Sequence, residues 1–425
     1  MEQHEFVEIF EGLTARRKQV LRLVLGGLSD EEIASEVGIR EASVRKYLER
    51  FYRTFRIGKR YELVALAANY MPELIGNRST QLKLLSHNTT IIQLESHPDF
   101  YIERPPVEEI CHEELSKAGG MLRIKAPRKF GKTFLLNSKI VEFARISGFQ
   151  TVILSFDLAE QTIFDDLDTF LKWFCANVTR ELELEVKLDD RWDSEIVGSK
   201  ANCKYYFEDY LLSQIATPMV LALDAVDLVF HHSHIARDFL SMLRGWHEAA
   251  HREELWQKLR LVLAYSTAVR MPSDVNLSRL NVGMPIRLPE FTPLQVQDLA
   301  QRYALKWDSE QIEKFMQVVG GHPYLVRILL QHISKQEIAI EKLLPFALTE
   351  ERIYEHLKQH DEDLASKPEL RAELKKAVEA QESVQLELDL AHELEDLGLV
   401  RLENNKATIS CELYRQYFHQ RFQSN

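Results

Sequence analysis

Met121-Leu122-Arg123-Ile124-Lys125-Ala126-Pro127-Arg128-Lys129-Phe130-Gly131-Lys132-Thr133-Phe134-Leu135-Leu136 is the stretch on which the reading of this chain turns. It opens strand-like, passes through Gly131-Lys132-Thr133 and closes on an apolar run that starts a helix. Strand, loop and helix in that order make a P-loop, whose backbone N–H groups and helix N-terminus cradle phosphates. Lys132 is expected to reach the β and γ oxygens of ATP, and the Thr133 hydroxyl to ligate Mg²⁺. Arg128, Phe130, Gly131 and Phe134 complete the expected nucleotide-binding stretch, with Arg128 and Lys129 either reading phosphate or solvated. Ala126 stands where the motif usually opens with glycine, which narrows backbone freedom but leaves Gly131-Lys132-Thr133 intact.

Further along, Pro218-Met219-Val220-Leu221-Ala222-Leu223 is a continuous apolar run suited to a parallel strand buried on both faces, and it ends in Asp224-Ala225-Val226-Asp227. This reads as a Walker B strand, with Asp224 holding Mg²⁺ through water. Ala225 occupies the position at which AAA-type ATPases carry a Glu that polarises the attacking water. A methyl group can neither accept a proton nor orient water, so hydrolysis is expected to be impaired by orders of magnitude while binding survives. Either the chain is a naturally slow hydrolase or the position was substituted to trap ATP. Asp227 reads as a structural cap rather than a substitute base. A third strand, Leu259–Ala264, leads to Tyr265-Ser266-Thr267, where Ser266 is the expected polar sensor of the γ-phosphate. Residues 137–147 and 230–254 are helical by period, so strands alternate with helices as a parallel α/β sheet requires, with ligands at the C-terminal strand ends.

Charge separates the N-terminus from this core. The 425 residues carry 53 Lys+Arg against 65 Asp+Glu, a net charge of −12, yet the segment 40–60 alone holds eight basic and two acidic residues. An acidic bulk repels nucleic acid, whereas a basic block of that density on a helix suits phosphate contact. Around it lie the periodic segment Ala15–Leu25, the break Gly26-Gly27, a capping box formed by Ser29 and Glu32, a stop at Gly38 and a new helix opening at Glu41. Helix, tight turn and basic helix is the geometry that lays the last element in a DNA major groove. Leu13-Thr14-Ala15-Arg16, Gly27-Leu28-Ser29-Asp30-Glu31-Glu32-Ile33-Ala34, Gly38-Ile39 and Ser43-Val44-Arg45-Lys46-Tyr47-Leu48 resemble the LuxR-type helix-turn-helix over residues 10–70. The resemblance implies that Ser43, Arg45, Lys46 and Arg50 face DNA, and that Val20, Leu21, Ile33, Ala34, Val37, Ile39 and Val44 are core. Arg17-Lys18 replace a usual acidic residue and Tyr47 a frequent His, so base preference does not carry over. Modules of this kind also dock protein effectors.

Tyr101-Ile102-Glu103-Arg104-Pro105-Pro106, the P-loop, Leu221-Ala222-Leu223-Asp224 and Gly320-Gly321-His322-Pro323-Tyr324-Leu325 together resemble the bacterial AAA-like domain of STAND signal-transduction ATPases. By that resemblance Ile102 and Pro323 line an adenine site and His322 lies near the phosphates. Near the C-terminus, Asn404-Asn405 between two alternating runs signals a hairpin, and a helix followed by a hairpin suits a winged helix. Its acidic residues, among them Glu393, Glu395 and Asp396, favour packing on the nucleotide domain over DNA contact.

The expected fold is therefore multidomain: an all-α helix-turn-helix at 1–78, a linker at 79–96, an α/β P-loop NTPase of AAA-like parallel-sheet type at 97–290, a helical lid at 291–360 and a winged helix at 361–425. With no run of 18 uncharged apolar residues and no apolar leader, a cytoplasmic protein without a membrane span is expected. Cys111, Cys175, Cys203 and Cys411 match no metal-ligand spacing and read as buried thiols. The favoured function is an ATP/ADP switch with Mg²⁺ that opens or self-associates on ATP and acts through DNA. A DNA-remodelling or loader ATPase and a nucleotide-gated scaffold docking a protein effector are the alternatives. Arg237, Arg244 and Arg252 are candidates for an arginine finger supplied by another copy.

Overall fold

The computed structural model describes residues 10, 13–25, 30–55, 63, 67, 100–194, 196–269, 282–335 and 338–423. Contacts divide the chain into two units, Met1–Phe100 and Tyr101–Asn425. In the first, α1 (Ala15–Leu25), α2 (Asp30–Val37) and α3 (Glu41–Phe55) pack through Val20, Leu21, Val24, Ile33, Val37, Val44, Leu48 and Phe51. All eight are buried, and Ile39 packs half-buried at their margin. Helix α2 stops where Gly38 turns left-handed (φ 68°) and the Ile39 N–H donates to the Ala34 carbonyl at 2.9 Å, which satisfies a carbonyl the helix end would otherwise orphan. The capping box expected at Ser29 and Glu32, and the linker expected at 79–96, lie outside the described residues.

In the second unit, α4 (Val107–Ser116) precedes β1 (Met121–Ala126). A continuous helical run follows: α5 (Lys132–Leu135), a π-helical turn at Leu136–Ile140 and α6 (Val141–Ile146). Next come β2 (Gln150–Ser155), α7 (Leu167–Glu181), α8 (Ser199–Tyr206), β3 (Met219–Asp224), α9 (Asp227–Phe230), α10 (Ser233–Ala249), β4 (Leu259–Ser266) and β5 (Met284–Arg287). The five strands form one parallel sheet in the order β2-β3-β4-β1-β5.

Period-two alternation sends Leu221, Leu223, Leu261 and Leu263 to one face, against Phe174, Phe207, Phe239 and Trp246. It sends Val220, Ala222, Val262, Ala264 and Ile124 to the other, against Cys111, Leu135, Leu136 and Ile140. Covering both faces is why the third strand reads as an unbroken apolar run and why every residue of it is buried. The expected helix at 230–254 is α10 preceded by the separate short α9, and the strand expected at Leu259–Ala264 extends two residues further, through Ser266.

Beyond the sheet lie α11 (Pro293–Arg302), α12 (Ser309–Val319), α13 (Pro323–Ser334), α14 (Leu343–Ala347) and α15 (Glu351–Ala365). The chain ends in α16 (Pro368–Glu379), α17 (Leu388–Asp396), the hairpin β6 (Val400–Glu403) and β7 (Lys406–Ile409), and α18 (Glu412–Gln423). Asn404 and Asn405 both take positive φ, 52° and 61°, as a two-residue hairpin turn demands. Val384 bridges Ala407, adding a single rung beside the hairpin. All four cysteines are free and buried.

Candidate nucleotide-binding site

Strand β1 delivers the chain into the loop at Pro127, and Gly131 returns it to a helix. Lys129 (φ 63°) and Gly131 (φ 88°) are both left-handed, a conformation that costs little only for glycine. The first N–H groups of a helix have no partner within it, so the helix opening after Gly131 suits an anion. Lys132 is half-buried, and its ammonium donates to the Ala126 carbonyl at 3.0 Å and the Pro127 carbonyl at 2.9 Å. Burial lowers its pKa to about 8, against the raising effect of the Asp227 and Asp224 charges.

Thr133 Oγ1 donates to Asp224 Oδ2 at 2.6 Å, joining the first turn of the P-loop helix to the end of β3. Asp224 is buried, its Oδ1 accepts the Ala225 N–H at 2.9 Å, and desolvation raises its pKa. A buried carboxylate beside a hydroxyl, with only partial compensation for its charge, is a donor set that a hard, oxygen-seeking cation such as Mg²⁺ fits. Ala225 turns left-handed (φ 55°). Two residues on, Asp227 Oδ1 accepts the Ser266 N–H at 2.8 Å, tying the exit of β3 to the end of β4. Ser266 lies opposite Ala126 in register, so the sensor position, the start of the loop and Asp224 share one edge of the sheet. Its Oγ accepts the Ala268 N–H at 3.2 Å.

The segment before α4 is held from three sides. Both Glu108 carboxylate oxygens accept the Arg104 N–H at 3.0 Å, and Glu108 Oε1 accepts the Tyr101 hydroxyl at 2.6 Å. The buried Arg104 guanidinium donates to the Phe130 carbonyl at 2.8 Å, bracing the loop from behind. From α11, Arg302 Nη1 donates to the Tyr101 carbonyl at 2.9 Å. Ile102 and Pro323 are both buried. Phe134 meets the Tyr101 ring edge-on at 5.2 Å, and the Arg327 guanidinium lies 4.8 Å over it.

A layer that motif spacing does not reveal covers the loop. His322 packs edge-on against Phe130 at 4.6 Å, His356 lies 5.0 Å from His322, and His360 lies 4.6 Å from His356. All three are buried. Burial, aided by the Lys129 charge and by one another, lowers the pKa of His322 to about 3; burial with Arg128 and Lys129 lowers that of His360 to about 3. His356 Nε2 meets the Tyr414 hydroxyl of α18 at 2.9 Å, while among the described residues His322 Nδ1 and both His360 ring nitrogens have no hydrogen-bond partner. Lys129 Nζ lies 4.1 Å over the Tyr324 ring.

The C-terminal elements grip the same loop. Arg128, expected at the phosphates, pairs with Asp363 of α15 at 2.6 Å. A Cβ at Gly398 (φ 78°) would lie 3.3 Å from the Pro127 side chain, so that approach suits a residue without one. The Thr267 hydroxyl donates to the Asp396 carbonyl. Arg401 reaches Glu290 at 2.6 Å, and Arg287 reaches Glu395 at 3.4 Å.

This sheet order, with a P-loop strand separated from its acidic partner strand by a polar-ended β4, has counterparts among known proteins. A family model described as AAA-like domain matches residues 89–420. The chain belongs to the AAA-like domain family. A second model, bacterial regulatory proteins of the luxR family, matches residues 11–67 and identifies an N-terminal LuxR-type helix-turn-helix domain fused to the AAA-like module. Over 59 residues the chain is 39% identical to a protein of Aeromonas salmonicida that bears the name putative HTH-type transcriptional regulator in exeN 3′ region; the match covers 14% of this chain and 30% of that relative's length. A Walker-type ATPase of Pyrococcus abyssi superposes on 75% of this chain and 96% of its own with a TM-score of 0.56 and 12% identity, a likeness of fold. Among the described residues no helix of either unit is long and apolar enough to cross a membrane.

In the LuxR-type domain, Lys46 and Arg50 are exposed on α3, and Ser43 is half-buried. Arg45 lies on the same helix, with its side chain outside the described residues. Arg237 and Arg252 are exposed, whereas Arg244 pairs with Glu248 at 2.7 Å on its own helix. The residues around the site that the motifs did not single out include Glu108, His356, His360 and Asp363, and Arg104 falls within the Tyr101–Pro106 stretch, which by itself gives it no role. His356 and His360 sit at helical i, i+4 spacing, a visible signal, but their partner His322 is separated from them by the helices between.

Proposed function

We propose that this chain is a nucleotide-controlled regulatory switch, in which ATP with Mg²⁺ occupies the P-loop and the C-terminal elements, read as a winged helix of STAND type, gate it. Lys132 binds phosphate, Thr133 and Asp224 hold the cation, Ser266 senses the γ-phosphate, and Ile102, Phe134 and Pro323 line the base. Mg²⁺ would neutralise phosphate charge at the Thr133–Asp224 pair. The observation that carries the reading is the direct hold of the C-terminal elements on the loop itself, through Asp363 on Arg128 and Gly398 against Pro127. In the closed state Arg128 is committed to Asp363; phosphate entering the loop competes for it and frees α15. Release exposes surfaces for self-association, and several helix-turn-helix domains held together convert weak DNA contacts into firm binding through effective concentration.

The test is the full chain with radiolabelled ATP and Mg²⁺, reading retained nucleotide, molecular mass and DNA binding, beside an Asp363→Ala variant. The switch expects retained nucleotide, a mass increase with ATP and faster nucleotide exchange in the variant. Retention without any change in mass or DNA affinity would point instead to a scaffold docking a protein effector.

A further inference from the structure

Ala225 lacks a carboxylate, and the turn that leaves the neighbouring strand carries one, Asp157. β2 pairs with β3 so that Ser155 lies opposite Asp224, and strands about 4.8 Å apart bring their two exits side by side at the edge of the sheet that carries the P-loop. The chain leaves β2 through a single helical turn, Phe156–Leu158. Phe156 is buried in the core, which turns Asp157 outward to solvent. Ser155 Oγ holds this residue twice, accepting its backbone N–H at 3.3 Å and donating to the side-chain Oδ2 at 3.2 Å. Among the described residues no other group hydrogen-bonds this carboxylate, so it keeps acceptor capacity for water. Its charge also contributes to the raised pKa of Asp224, which places it within electrostatic reach of the cation site. Asp227, the other nearby carboxylate, is committed: its Oδ1 holds the Ser266 N–H, and its charge favours the protonated form of Lys132.

We propose that Asp157 orients and deprotonates the water that attacks ATP, taking over from the strand β2 side the role that Ala225 cannot fill. This rests on the reading of the P-loop as an ATP site. The water oxygen forms a bond to the γ-phosphorus, and the bond from that phosphorus to the bridging oxygen breaks, leaving ADP. The water proton passes to the Asp157 carboxylate and then to solvent, and phosphate departs. An exposed side chain tethered by one serine gives slow turnover, which suits a timer on the ATP state.

The experiment uses the full chain and its Asp157→Asn, Asp157→Glu and Asp227→Asn variants. AMP-PNP binding with Mg²⁺ is measured by calorimetry, radiolabelled ATP is followed in single turnover, and trapping of ADP with aluminium fluoride is scored after gel filtration. Asp157→Asn is expected to keep AMP-PNP affinity, to lose about 100-fold in turnover, to retain ATP where the parent retains ADP, and to lose aluminium fluoride trapping; Asp157→Glu restores part of each. Asp227→Asn instead loosens the end of β4 and weakens binding and turnover together. A parental rate in Asp157→Asn, or a parent that binds AMP-PNP yet converts no ATP, overturns the role of Asp157 alone. A parent that does not bind AMP-PNP overturns the ATP reading itself.

Discussion

Acidification should loosen the hold of the C-terminal elements on the P-loop, because His322, His356 and His360 are buried neutral. Burial disfavours a proton on each ring, and the positive charges of Arg128, Lys129 and Lys132 on the loop add to that. His322 and His360 have folded pKa values of about 3 against an ordinary 6.5. A folded pKa below the unfolded one means that stability is intact above pH 6.5 and falls as the pH drops from 6.5 toward 3. At about pH 5 the unfolded or opened state gains a proton on each ring, which costs the closed state about 2 kcal/mol per histidine, or about 4 kcal/mol for the two. Urea unfolding at about pH 7.5 and about pH 5, read by tryptophan fluorescence, measures this. All five tryptophans, Trp173, Trp192, Trp246, Trp256 and Trp307, lie in the second unit, so the signal reports that unit alone. His360→Phe removes two buried nitrogens that have no partner among the described residues; it should stabilise the unit at pH 7.5 by about 1–3 kcal/mol and remove its own share of the acid loss, about 2 kcal/mol. An equal acid loss in parent and variant would refute this account of the cluster.

Three further outcomes are expected. Because burial lowers the Lys132 pKa to about 8, ATP affinity of the free protein should fall as pH rises through 8, and Lys132→Met should abolish both binding and that dependence in a calorimetric titration. Gly398→Val places a branched side chain at φ 78° against Pro127; it should destabilise the second unit by about 1 kcal/mol or more and speed nucleotide exchange, and an unchanged exchange rate would mean that this approach is not part of the gate. Lys46→Ala with Arg50→Ala should weaken DNA binding and make the salt dependence shallower by about 0.9 for each phosphate no longer neutralised, whereas an unaltered salt slope would favour a protein-docking role for α3.

Much of the candidate nucleotide site is legible in the sequence because its chemistry is local. Gly131-Lys132-Thr133 needs only a strand before it and a helix after it, and Asp224 needs only to end a buried strand; the 2.6 Å approach of Thr133 to Asp224 follows once those two strands share a sheet. The hairpin at Asn404-Asn405 is legible for the same reason, since two successive left-handed residues are a backbone demand that Asn meets. Strand β2 escapes such a reading because Gln150-Thr151-Val152-Ile153-Leu154-Ser155 carries neither a hydropathy alternation nor a motif to single it out. Arg128 has the position expected of a phosphate ligand in the loop, and its partner Asp363 lies 235 residues away, where no spacing rule reaches.

By itself the sequence determined the P-loop, the acidic strand end, the alanine beside it and the basic helix of the LuxR-type domain, because each is set by a few neighbouring residues and the backbone geometry they permit. Only the tertiary structure decided what surrounds them: that β4 inserts between β1 and β3, that the exit of β2 lies beside that of β3 with Ser155 opposite Asp224, and that His322, His356 and His360 meet behind Phe130. Those are juxtapositions of side chains distant in the chain, produced by burying the two faces of one sheet and the apolar sides of the helices around it, and no local period encodes which of them will touch.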